Sequence, residues 1–346
     1  ASVGTWYSSW AGLSGILSVS LVWAMLAGYG AYKFQSFKLK NMAAFSLMLM
    51  LVSAASWGLQ QTRWTEQVGA PLEVALVQAD IPLSVKWQAK NRENLMQTYL
   101  AASRAVIDAD LIVWPEGALP MVLDDIPEDY INDLRALDAD VAFGAIERKE
   151  GRLYNGISLL SEQNDQQYRK QHLVPFGEFF PLKWLLGGLF ETLQIPMSDF
   201  TGFNEAQSNF SIKGIKILPT ICYEDAFPED WRAQVADSNM ILNISEDAWF
   251  GDSFAPHQRL QMAQMRAIEF QRPMIRVSNS GLSTVINDDG SVDQLSPQFQ
   301  PALFSAPVFP MQGQTPYTRY GLWPLWGLSL ALLVFAYVRQ KRKASS

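Results

Sequence analysis

Leu218-Pro219-Thr220-Ile221-Cys222-Tyr223-Glu224-Asp225 closes an apolar run, Ile215 to Ile221, with the only cysteine among 346 residues and places two acids directly behind it. The run reads as a buried strand. A thiol at a strand's end, opening into a polar turn, sits where an exposed nucleophile belongs. By residue type alone the same cysteine is a small buried hydrophobe, the commoner use of a free thiol. The company it keeps has to decide.

On both sides of this run, strand and helix patterns alternate. Val74 to Val77, Leu111 to Trp114, Val141 to Ile146 and Asn155 to Leu160 read as strands before it, and Met240 to Ile244, Ile275 to Val277 and Ser283 to Ile286 after it. Gln88 to Asp108, Tyr130 to Leu137 and Pro256 to Gln271 carry helical spacing, and Asp288-Asp289-Gly290 a turn. Such alternation predicts a layered α/β domain.

Charge divides the chain into three. All 34 acidic residues lie between Glu66 and Asp293 with only 18 of the 27 basic ones, so this stretch carries −16 and the flanks together +9. So acidic a middle excludes nucleic-acid binding, which needs clustered Lys and Arg. The flanks hold three uncharged runs, Ala11 to Tyr32, Met42 to Leu59 and Gly321 to Val338. Each is close to the roughly 20 residues that cross a bilayer as a helix. Gly12, Gly15, Gly28 and Gly30 suit close helix packing in lipid. Lys33, Lys38 and Lys40 fill the first connection, and Arg339, Lys341, Arg342 and Lys343 follow the last run. Positive segments stay in the cytoplasm, so both clusters put the middle outside it. The expected division is 1–65 membrane helices, 66–320 an extracytoplasmic catalytic domain, and 321–346 a last span with a basic tail. One segment, Phe179 to Leu193, is very apolar yet too short to span; Phe179, Phe180, Trp184 and Leu185 with a Gly187-Gly188 hinge read as a lid at the membrane interface.

Ligands of α/β sheets gather at the carboxyl ends of strands. Glu116 in Trp114-Pro115-Glu116, Lys170 beyond the Asn155 strand, and Cys222 all stand there. Together they supply cysteine acyl transfer with a nucleophile, a carboxylate of raised pKa to take the thiol proton, and a cation for the oxyanion. The order resembles the Glu-Lys-Cys triad of the nitrilase (carbon–nitrogen hydrolase) superfamily. More narrowly, Gln78-Ala79-Asp80-Ile81-Pro82, Trp114-Pro115-Glu116, His172-Leu173-Val174-Pro175-Phe176-Gly177-Glu178-Phe179, Ile221-Cys222-Tyr223-Glu224 and Asp247-Ala248-Trp249-Phe250-Gly251 are similar to the apolipoprotein N-acyltransferase family. Met265-Arg266-Ala267 leading to Arg272-Pro273 adds to it, and the similarity runs over essentially the whole chain.

The resemblance implies a nitrilase-like αββα sandwich inserted between transmembrane α-helices of a bacterial inner membrane, facing the periplasm. It implies acyl transfer from a phospholipid, typically phosphatidylethanolamine, through a Cys222 thioester to the amino group of a diacylated apolipoprotein, by a monomer without cofactor or metal. Glu116 is then general base; Lys170 and the N–H near Tyr223 hold the oxyanion. Glu178 and Glu224 match supporting positions, Tyr223 a pocket position and Trp64 a tryptophan where span meets domain. Family members carry further spans upstream, so the chain reads as the C-terminal two-thirds of a longer one. Glu246 stands where the pattern has asparagine, and Gly117 where a small hydroxyl residue follows Trp-Pro-Glu. Two rivals are a membrane-tethered amidase, in which water ends the thioester, and an anchored binding protein without turnover.

Overall fold

The computed structural model describes residues 6–35, 38–162, 164–179 and 200–344. Two parallel triplets of strands organise them. Leu72–Gln78, Leu111–Val113 and Asp140–Lys149 form one; Ile215–Ile221, Met240–Ser245 and Met274–Ser278 form the other. Parallel strands covered on both faces need apolar residues at every position. Leu72, Val74 and Leu76 accordingly enter one core while Ala75 and Val77 enter another, all five buried.

Among the described residues, antiparallel strands, and one short parallel strand, Leu119–Val122, beside Asp140–Lys149, widen the triplets into a seven-stranded and a six-stranded sheet. The sheets pack face to face: Val74, Leu76, Val113 and Ile157 of the first share one core with Ile217, Ile221, Leu242 and Ile275 of the second. Arg92–Arg104 and Glu128–Arg135 cover the outer face of the first sheet through Leu95, Tyr99, Tyr130 and Leu134. Pro228–Val235 and Ala255–Phe270 cover the second through Trp231, Val235, Ala263 and Phe270. The result is the four-layered αββα sandwich. Ala302–Val308, which the sequence pattern did not announce, edges the first sheet in register with Leu72–Gln78. Its Pro307 is tolerable only on such an edge, and it blurs the strand signal.

Two helices, Ile16–Lys33 and Leu39–Gln60, are long and apolar enough to cross a membrane, with only 22% and 6% of their spans buried. A core helix of a soluble domain would be mostly covered. The first uncharged run is not one helix from residue 11. It breaks at Gly15, whose φ is +69°. Short helical turns before the break pack Ala11 against Met265 and Ile268 of the domain. A Cβ on Gly15 would meet the Tyr317 ring at 3.0 Å, and the Glu269 carboxylate accepts the Ile16 N–H at 2.6 Å. Of the four glycines expected to pack helices, Gly30 does so against Phe45 of the Leu39–Gln60 helix and Gly15 against Tyr317 of Pro316–Tyr320; among the described residues nothing approaches Gly28, and Gly12 lies on Trp64. The third helix, Trp323–Ala344, starts after Gly321 and runs on through the basic residues, so the expected tail is helical.

Thr65–Gln67 pairs antiparallel with Met311–Gly313, Thr65 opposite Gly313. The chain therefore enters and leaves the sandwich at one point, beside the flanking helices.

Gly144 shows how tightly the strands hold the loop after Leu111–Val113. A Cβ there would come within 2.4 Å of Gly117 N, 2.7 Å of Pro115 O and 2.8 Å of Glu116 Cα. Backbone atoms cannot yield as a side-chain tip can, so Gly144→Ala is expected to cost about 1–3 kcal/mol. A lowered thermal midpoint checks this.

Candidate active site

Glu116 and Cys222 follow the carboxyl ends of two strands on opposite sheets, Leu111–Val113 and Ile215–Ile221, and Lys170 follows Gln166–Arg169. The sandwich brings all three to the wall of one cavity of about 650 Å³. The loop carrying Glu116 is held by Trp114 N–H donating to Ala142 O at 2.8 Å and by Lys86 Nζ donating to the Glu116 carbonyl at 2.8 Å. Gly117, at φ +56°, then turns the chain away.

Lys170 is only 1% exposed. Its ammonium donates to Glu116 Oε1 at 3.3 Å and Glu178 Oε1 at 2.9 Å. Asn155 Nδ2 bridges the same two oxygens at 2.7 Å each. Glu178 Oε2 accepts the Val174 N–H at 2.8 Å, whereas Glu116 Oε2 carries no hydrogen bond within ordinary limits among the described residues. Burial alone would raise the Glu116 pKa, but Lys170, Asn155 and the Cys222 thiol outweigh it and hold the carboxyl below its usual value. This corrects the expectation of a raised pKa: an ammonium at contact distance favours the charged form. Burial works against the Lys170 charge, yet Glu116, Cys222 and Glu178 keep it protonated well above the ordinary range.

Cys222 takes φ +52°, a left-handed conformation that a side chain adopts at a cost. Its neighbours enforce it. Glu224 Oε2 accepts the Ile221 N–H at 2.7 Å, and Asn243 Nδ2 donates to the Cys222 carbonyl at 3.3 Å. Glu224 also clamps the Lys170 segment, accepting from Gln171 N–H at 2.7 Å, His172 N–H at 3.1 Å and the Tyr168 hydroxyl at 3.0 Å. One buried carboxylate thus ties the cysteine's turn to the cation's strand. Arg259 Nη1 donates to Cys222 Sγ at 3.1 Å. Burial pushes the thiol up to about 12 against the pull of Arg259, with Glu116 adding to the rise and Lys170 opposing it.

The remaining expected residues divide. Tyr223 lines the cavity, its ring edge-on to Phe227 at 4.9 Å. Trp64 does not line the cavity. It packs on Gly12, and its backbone N–H donates to Gln271 Oε1 at 2.8 Å. Gln271 lies past the end of the helix that bears Arg259, about 18 Å along its axis at 1.5 Å per residue. Of the expected lid, Phe179 bridges to Pro175, with its carbonyl accepting the Phe176 N–H at 2.8 Å; Phe180, Trp184, Leu185, Gly187 and Gly188 lie outside the described residues. Three contributors escaped the sequence reading: Asn155, Arg259 and Lys86. Asn155 left a trace, as a lone amide at an otherwise apolar stretch of strand; Arg259 and Lys86 resemble ordinary surface charges until the fold buries them.

The carbon-nitrogen hydrolase family model matches residues 73–308. The apolipoprotein N-acyltransferase of Shewanella oneidensis is 33% identical over 351 aligned residues, covering 96% of this chain and 67% of that protein. Its counterpart in Pseudomonas aeruginosa is 40% identical, covering 86% and 61%. The chain belongs to the apolipoprotein N-acyltransferase family of carbon–nitrogen hydrolases. It spans about three-fifths to two-thirds of the length of these relatives. Solved structures show the same fold at low identity. A CN-hydrolase superfamily protein of Xanthomonas campestris aligns with TM-score 0.54 at 18% identity, over 69% of this chain and 91% of that one. A nitrilase-superfamily member from Saccharomyces cerevisiae gives 0.52 at 17%, over 72% and 93%.

The Glu224 clamp has a titration signature. Burial raises its pKa from 4.5 to about 7, against the N–H groups of Ile221, Gln171 and His172 and the charge of Lys170. A folded-state pKa above the unfolded one stabilises fully below the lower value and less as pH rises through the higher. Stability should therefore fall between pH 4.5 and 7, and Glu224→Gln should remove part of that slope, leaving the share of Glu269, which also titrates at about 7. Thermal midpoints across this window read the difference.

Proposed function

We propose that this protein is an N-acyltransferase that moves a fatty acyl chain from a phospholipid, through a Cys222 thioester, to the amino group of a diacylglyceryl-cysteine lipoprotein. The observation that carries the reading is the buried meeting of Cys222, Glu116 and Lys170 in a cavity walled by Leu83, Trp87, Ile146, Phe176, Trp249 and Phe250. An apolar wall suits a fatty chain, and the flanking apolar helices suit a donor drawn from a bilayer. The names of the relatives support a lipoprotein as acceptor.

Glu116 Oε2, free of other hydrogen bonds among the described residues, takes the thiol proton, and Sγ attacks the ester carbonyl. Lys170 and the Tyr223 N–H hold the oxyanion. As it collapses, the lysophospholipid oxygen leaves with the proton from Glu116. The incoming amine attacks the thioester, gives its proton to Glu116, and the thiolate departs to recover it. Glu178 and Asn155 keep Lys170 and Glu116 in register, and Glu224 positions Cys222 against them. The positive flanks, with Lys33, Lys38, Lys40 and the Arg339–Lys343 cluster, support a cytoplasmic side for these residues and a periplasmic side for the 66–320 domain. Phosphatidylethanolamine is the proposed donor, and the protein is proposed to act as a monomer.

Full-length protein given phospholipid alone should accumulate a hydroxylamine-labile acyl adduct on Cys222, and a diacylated lipopeptide should discharge it as an amide. Cys222→Ala should abolish both, and Glu116→Gln should slow adduct formation by about 10²–10⁴-fold. Mass spectrometry of protein and peptide reads each arm. An adduct lost to water while the lipopeptide stays unmodified would make the protein a hydrolase instead.

A further inference from the structure

The Cys222 sulfur has a cationic partner that the triad does not contain. Among the described residues, Arg259 is the one group that donates a hydrogen bond to Sγ, from Nη1 at 3.1 Å. Lys170 is committed elsewhere, donating to Glu116 and Glu178. Arg259 is 7% exposed and lines the same cavity. Its guanidinium is gripped on its other edges: Nη1 donates to Asp247 Oδ1 at 2.9 Å and Nη2 to Asp225 Oδ2 at 3.3 Å. Arg276 holds the same two aspartates, at 3.0 Å and 3.4 Å. Two arginines and two aspartates therefore alternate in a buried square, with one corner turned to the sulfur.

A neutral thiol sulfur is a weak acceptor, and a thiolate a strong one. A guanidinium keeps its charge at any working pH, so it can stabilise a thiolate without competing for its proton. The thiol proton must also pass to a carboxyl that Lys170 holds below its usual pKa, which leaves the forming thiolate in need of stabilisation. Because the square fixes Arg259 in advance, no reorganisation is needed when charge appears.

We propose that Arg259 is a further catalytic residue, the cation that bears the charge of the Cys222 sulfur both as it attacks and as it departs. The proposal rests on Cys222 being the nucleophile of the reaction above. In the first half, the S–H bond breaks, its proton goes to Glu116 Oε2, and its electron pair forms the S–C bond beside Arg259. In the second half, the S–C bond breaks as the amine bonds to the carbonyl carbon, and the pair returns to sulfur against the same guanidinium. Arg259 keeps its protons throughout. The charged groups around the sulfur are Glu116, Lys170, Arg259 and Asp247, with Asp225 and Arg276 completing the square.

Iodoacetamide alkylation of Cys222, followed by peptide mass spectrometry in the full-length protein across a pH series, tests this without any acyl substrate. Arg259→Gln is expected to move the thiol titration upward and slow alkylation about tenfold or more near pH 8, one tenfold step per pH unit. Arg259→Lys, which keeps the charge, should retain most of the rate. Asp247→Asn removes a carboxylate that raises the thiol's pKa, so it should move the titration the opposite way and speed alkylation. That opposite sign is what a purely structural role for the square would not give, and Arg259→Lys with Asp247→Asn carries the test if Arg259→Gln does not fold. A folded Arg259→Gln protein with the wild-type alkylation profile overturns the proposal, as does an Asp247→Asn protein slowed in step with it. Failure of Cys222 to form an acyl adduct at all, with these alkylation shifts intact, would instead sink the nucleophile reading.

Discussion

A lysine ammonium sealed from water is the constraint around which the site is built. Lys170 keeps its charge only because Glu116 and Glu178 both lie within 3.3 Å. Removing either carboxylate would leave a buried cation short of compensation, which is far more costly than losing a surface pair. Asn155 serves both oxygens at once and so sets the spacing of the two acids. The same arrangement bears on the proposed chemistry. A carboxylate neutralised by an ammonium is a poor base, so the thiol proton leaves only if the sulfur finds compensating charge close by. In the proposed reaction a cation that serves Glu116 leaves the charge on Cys222 unattended, and the Arg259 contact is proposed to answer that deficit.

Two departures from the family pattern become intelligible in these terms. Glu246 pairs with Lys86 at 2.5 Å, and its oxygens also accept from Asn279 Nδ2 and the Ala248 N–H. Lys86 in turn holds the Glu116 carbonyl. A carboxylate in place of an amide neutralises a cation that would otherwise lie bare beside the Glu116 loop, although burial raises its pKa. Gly117 is left-handed, and a Cβ there would meet only the end of the Lys86 side chain at 3.6 Å. Space therefore exists for a larger residue; the backbone conformation is what favours glycine.

The sandwich was largely legible in the chain because its signals are local. Apolar strands such as Ile215–Ile221 and the helical spacing of Ala255–Phe270 need no tertiary information, and strand ends tell where reactive groups gather. What escaped depends on which distant segments touch. The break at Gly15 is imposed by Glu269 and Tyr317, which come from the far end of the sequence. Arg259 is an ordinary charge on an amphipathic helix until the helix packs against the Cys222 turn. The lowered Glu116 pKa follows from the approach of Lys170, which alternation of strands and helices does not specify. Trp64 stands between the Leu39–Gln60 helix and the Thr65–Gln67 strand, yet its distance from the cavity is a matter of where the Ala255–Phe270 helix ends.

That helix joins the chemistry to the apolar flanking helices. Near its start Arg259 touches the sulfur, and in its last turn Glu269 caps the first N–H of the Ile16–Lys33 helix. The two residues are about 15 Å apart along one rigid element, at 1.5 Å per residue. A helix N-terminus carries partial positive charge, so a carboxylate there is stabilising, and Arg266 keeps Glu269 paired within its own helix. The contact that sets the guanidinium against Cys222 and the contact that holds the first turn of the Ile16–Lys33 helix are thus carried by one element, at its two ends.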